Sequence, residues 1–130
     1  MIAAAVLLLA TGGGAVDCVR LLQSSTVPVE KALALFESKP RGSAEALLAA
    51  REVLAQAQEA RGRLEAARVS ASCAPSRSEE LIYLNHLTLG FTGWIAARAR
   101  RPPREYDLAS IIRRARTHRE RGRARLRWLR

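Results

Sequence analysis

Histidine and cysteine are scarce in this chain, two of each in 130 residues. Cys18, Cys73, His86 and His118 lack the paired spacing of a Cys2His2 metal site. No acid sits at helical spacing beside either histidine, and Asn85 and His86 near Tyr83 are a weak constellation, since successive residues point different ways on a helix. Neither a catalytic residue, a metal nor a cofactor is expected, and His86 reads as a partly buried structural residue. No glycine-rich loop follows a strand to cradle phosphate; Gly12-Gly13-Gly14 lies in an opening segment of another kind. Aromatic residues are few, at 5%. Strand-type alternation and internal repeats are missing too, which excludes a sheet protein and a solenoid.

Long apolar runs are also lacking. The first, Ile2–Ala10, suits the apolar stretch of a signal peptide and is too short to cross a bilayer. Gly13 and Ala15 are the small residues a signal peptidase requires, so cleavage is expected after Ala15. No Lys or Arg precedes this run, which departs from the usual leader. The second, "LIYLNHLTLGFTGWIAA", covers 81–97, roughly 25 Å of helix against about 30 Å of hydrocarbon. Asn85 and His86 near its centre oppose insertion. A buried bundle helix is the simpler reading, with a single-pass inner-membrane protein carrying a basic cytoplasmic tail as an alternative.

What the chain has in excess is arginine. Residues 1–97 hold nine basic and nine acidic side chains. Arg98–Arg130 holds thirteen arginines against Glu105, Asp107 and Glu120, so the whole net charge of +10 sits on the last 33 residues. A neutral body with a basic end points to an anionic partner. The plain alternative is a solvated helix face.

Ala, Leu, Glu, Gln and Arg dominate, and all favour helix. A first helix is expected from about Cys18 to Ser38, kinked or restarted at Pro28 and ended by Pro40 and Gly42. Ser43 is the expected N-cap of a second. In it Ala46, Ala50, Val53, Ala57, Ala60, Leu64, Ala67 and Ala71 are spaced 4-3-4-3-4-3-4, a coiled-coil seam made mostly of alanine. The seam could be satisfied within one chain or in a homo-oligomer. After Pro75, Ser76-Arg77-Ser78-Glu79 fits a capping box. Leu81, Leu84, Thr88, Phe91 and Ile95 form the large seam of a third helix, antiparallel to the second. Gly90, Gly93 and Ala97 form a second, small face on it.

Asp107 or Ser110 would cap a fourth helix, whose apolar stripe is Leu108, Ile111, Ile112, Ala115, Gly122, Leu126 and Leu129. The expected fold is therefore all-α, a small up-and-down bundle of about four helices. Its parts are a leader-like segment over 1–15, a neutral bundle over 16–101 and an Arg-rich amphipathic helix over 102–130. That topology brings Cys18 and Cys73 to the same end, where a disulfide is expected in an oxidising compartment.

These parts suggest an exported protein of the periplasm or cell envelope that binds without catalysing. Arg113, Arg114, Arg116, Arg121, Arg123, Arg125 and Arg127 are the candidate anion contacts. Leu126, Trp128 and Leu129 are the candidate interfacial residues, on an anionic membrane surface or an acidic protein. Were the chain retained in the cytoplasm, the same arginines would suit a nucleic-acid backbone.

Overall fold

The computed structural model describes residues 15–127. Among these residues there are four helices: α1 (Ala15–Glu37), α2 (Ala44–Ala66), α3 (Ala74–Ala99) and α4 (Leu108–Leu126). Each packs on its sequence neighbour, while α1 and α4 touch sparingly. The leader-like segment falls outside the described residues, apart from Ala15 at its end. Arg130, Trp128 and Leu129 are outside as well.

Pro28 does not interrupt α1. A proline inside a helix removes one backbone donor, but Leu22, Val29, Leu33 and Phe36 are buried around it and hold both halves in line. Phe36 is the node between α1 and α3. Phe91 and Trp94 meet its ring edge-on, with centroids 4.9 and 5.3 Å away. The Arg41 guanidinium covers the same ring from the turn after α1, 4.2 Å from its centroid.

Ser43 caps α2, its hydroxyl accepting from the Ala46 amide at 3.1 Å. The alanine seam holds through Leu64: Ala46, Ala50, Val53, Ala57, Ala60 and Leu64 are all completely buried within the one chain. Beyond it the expectation fails. The helix ends at Ala66, Ala67 is its C-cap and Ala71 lies exposed in the turn. That turn is folded on itself: the Cys73 and Ala74 amides both donate to Ser70 O at 3.1 Å. It carries Cys73 back to Cys18, and the two form a disulfide with Cα atoms 5.8 Å apart.

The capping box after Pro75 is not formed. Pro75 lies in the first turn of α3, where its missing amide is no loss. Ser76 is therefore already helical, and its hydroxyl is buried with no hydrogen-bond partner. At the far end of α3, Arg98 donates to three carbonyls of the α1–α2 turn, those of Arg41, Gly42 and Ser43, at 2.7–2.9 Å.

α3 is the central helix, with α2 on one side and α4 on the other. Its small face is where α4 docks. A Cβ at Gly90 would stand 2.7 Å from Ile111 Cγ2, and one at Gly93 would collide with the Tyr106 ring. Gly122 plays the reciprocal part on α4, passing close over Ser76 O and Glu79 Cβ. It marks a helix crossing more than a weak point. Leu108, Ile112, Ala115 and Leu126 complete one hydrophobic core shared with the other three helices.

Candidate functional site

The basic helix starts at Asp107, whose carboxylate accepts from the Ser110 amide at 3.2 Å and from its hydroxyl at 2.6 Å. Those two bonds hold the Asp107 carboxyl below its ordinary range. From there the buried stripe runs Leu108, Ile112, Ala115, then Gly122 and Leu126. Arg119 occupies the stripe position between Ala115 and Gly122, so a guanidinium points into the bundle.

A cluster of charge surrounds it. Arg123 Nη2 donates to Glu30 Oε1 on α1 at 2.8 Å, and Arg119 Nη1 forms an ion pair with the same oxygen at 2.7 Å. Arg123 also reaches Thr26 Oγ1 at 3.3 Å, and its Nε lies 3.6 Å from Glu80 Oε1 on α3. Glu80 is completely buried, and neither carboxylate oxygen has a hydrogen bond. Loss of hydration disfavours its charged form, and the nearby Arg123 and Arg119 only partly offset that, so its pKa is pushed up to about 7. Tyr83, one turn on and buried with its hydroxyl unpartnered, is pushed up to about 12 by the same cause. The Arg119 guanidinium lies over the Tyr83 ring, 5.4 Å from its centroid.

Two flanking contacts extend the cluster. Arg116 forks onto both carboxylate oxygens of Glu37 near the end of α1. His118 Nδ1 lies 2.8 Å from Glu79 Oε2, so the fold supplies the acid that sequence spacing did not. The His118 ring stacks on His86, centroids 5.3 Å apart. Partial burial first, then the charges of His118 and Arg114, hold the His86 imidazole below its usual value.

The seven candidate arginines thus divide. Arg116 and Arg123 are engaged with carboxylates of α1 and α3, joined by Arg119, which was not among the candidates. Arg113, Arg114, Arg121, Arg125 and Arg127 are exposed and make no ion pair among the described residues. Leu126 corrects the expected interfacial trio: it is 7% exposed and belongs to the core, because it continues the stripe one turn past Gly122. Arg119 could have been found in the sequence. The row Ile112, Ala115, Arg119, Gly122, Leu126 keeps 3-4-3-4 spacing with one charged member.

The chain matches no family model, no curated protein and no solved structure. Among the described residues no three His, Cys, Asp or Glu side chains converge as metal ligands. No helix there is long and apolar enough to cross a membrane. A cleft of about 170 Å³ opens where α1 and α4 diverge, lined by Glu37, Arg41, Leu108, Ile112, Arg113 and Arg116. The arrangement can do two things: hold α4 to the bundle by charge, and present arginine to an outside anion.

Proposed function

We propose that this protein is a non-enzymatic, exported helical interaction protein that docks on an anionic surface or acidic partner through the outward arginines of α4. The division of the arginines carries this reading. Arg116, Arg119 and Arg123 are matched to carboxylates of the bundle, whereas Arg113, Arg114, Arg121, Arg125 and Arg127 face solvent and pair with no acid among the described residues. Five unmatched guanidiniums on a rigid helix favour capture of phosphate or carboxylate from outside.

The paired Cys18 and Cys73 support an oxidising compartment. The apolar opening at Ile2–Ala10 supports the same location. In that compartment nucleic acid is a poor candidate, and the want of a long apolar helix among the described residues weighs against a membrane-spanning form.

The test is sedimentation with vesicles containing phosphatidylglycerol, in parallel with binding to polyglutamate, across salt concentration. Binding to at least one of them should fall steeply between about 0.05 and 0.5 M salt. The R113Q/R114Q/R121Q/R125Q/R127Q variant should lose it. Equal binding by that variant sinks the reading.

A further inference from the structure

The outward arginines do not surround α4 evenly. Arg114, His118, Arg121 and Arg125 follow one another at i, i+4, i+7 and i+11, a single row about 16 Å long at 1.5 Å per residue. On α3, Ile82, His86 and Leu89 form a similar row at i, i+4 and i+7. The His86–His118 stack joins the two rows side by side, and Arg114 lies near enough to His86 to act on its charge.

The combined face has an unusual composition. Leu89 is 67% exposed and Ile82 is 38% exposed, among the largest apolar side chains left in solvent. Beside them stand three guanidiniums that make no ion pair among the described residues. Acids are kept away. α3 carries only Glu79 and Glu80, of which Glu79 is bonded to His118 and Glu80 is buried. The acid of α4, Glu120, aligns with Arg113, Arg116 and Arg127 on the opposite flank.

Building on the docking reading above, we infer that this α3–α4 face seats on an anionic lipid bilayer, with Ile82 and Leu89 entering the headgroup–acyl boundary and Arg114, Arg121 and Arg125 on the phosphates. Two packed helices present a broad face, and a bilayer offers phosphate and hydrocarbon within a few ångströms of each other. A nucleic-acid backbone matches the guanidiniums but leaves the two aliphatic side chains without a favourable environment. An acidic protein would need its own apolar patch in register. The lipid surface satisfies both halves at once.

The experiment compares four exposed-residue variants with the wild type on phosphatidylglycerol-containing vesicles, with circular dichroism to confirm the fold. R114Q/R121Q/R125Q should weaken binding by roughly 100-fold, given about fivefold per surface arginine. R20Q/R51Q/R68Q removes the same charge elsewhere and should have a much smaller effect. I82S/L89S should weaken binding by roughly tenfold. L48S, an equally exposed leucine on α2, should leave it unchanged.

Equal losses in the two arginine triples would overturn the face while leaving the general attraction to anions standing. Unaltered binding by I82S/L89S would overturn the seating into lipid. A wild type that ignores the vesicles yet binds polyglutamate would overturn the choice of lipid but not the docking reading. One that ignores both would remove them together.

Discussion

Arg123 Nε lies 3.6 Å from Oε1 of Glu80, a carboxylate that is completely buried and has no hydrogen bond of its own. The pair holds α4 to α3 across the same cluster in which Glu30 receives Arg119 and Arg123. Burial dominates over attraction there, and Glu80 titrates near neutrality instead of near 4.5.

That shift makes stability depend on pH in an unusual direction. The folded Glu80 holds its proton up to about pH 7, the unfolded one only to about 4.5. Stability from this group is therefore greatest below about pH 4.5 and declines as pH rises through 7, by about 3 kcal/mol over the whole window. His86, held below its usual value, works in the opposite sense where histidine titrates. Urea unfolding at pH 5 and pH 8 should find the Glu80→Gln variant less sensitive to that change than the wild type. It should also be the more stable of the two at pH 8. Equal pH dependence in both would show that Glu80 is not the group responsible.

Two glycine-to-alanine changes should act in opposite directions. At Gly90 the added Cβ meets Ile111 Cγ2 at 2.7 Å, within the α3–α4 contact. Gly90→Ala should lower stability by about 1–2 kcal/mol despite the better helix propensity of alanine. At Gly62 in α2 nothing lies within 4 Å of the new atom. Gly62→Ala should raise stability by up to about 1 kcal/mol. Thermal melts of the two variants check the signs.

The disulfide closes a loop with a sequence separation of 55. On loop-entropy grounds its removal by C18S/C73S should cost about 4 kcal/mol, visible as a lower urea midpoint. Intact mass of protein from its native host should increase by about 2 Da on reduction, for the two hydrogens added to one disulfide. A mass that does not change would remove the bond, and with it the support it lends to export.

Local patterns carried much of this fold. The alanine row of α2, its Ser43 cap and the stripe of α4 are set by periodicity within one helix. The Cys18–Cys73 pairing followed from topology once the helices were placed in up-and-down order. The capping box failed because Pro75 starts α3 earlier than the Ser76 pattern implies, and two local rules competed for one turn. The charge cluster was harder still. Whether Glu80 is buried depends on three helices closing around it, and no spacing within α3 states that. Arg116 and Arg123 look the same in sequence as Arg113 and Arg121. Which carboxylate each meets is decided by how α4 lies across its neighbours.

The covalent link near the two ends of the α1–α2 unit also sets how the molecule would bear a load. Under tension applied at its termini, force entering at Cys18 passes directly to Cys73 through the sulfur bridge. The chain between them, with all of α2, is mechanically bypassed. Of the described helices, stretching would then work on α3 and α4, where the arginine contacts to Glu30 and Glu37 tie the last helix back to the shielded part.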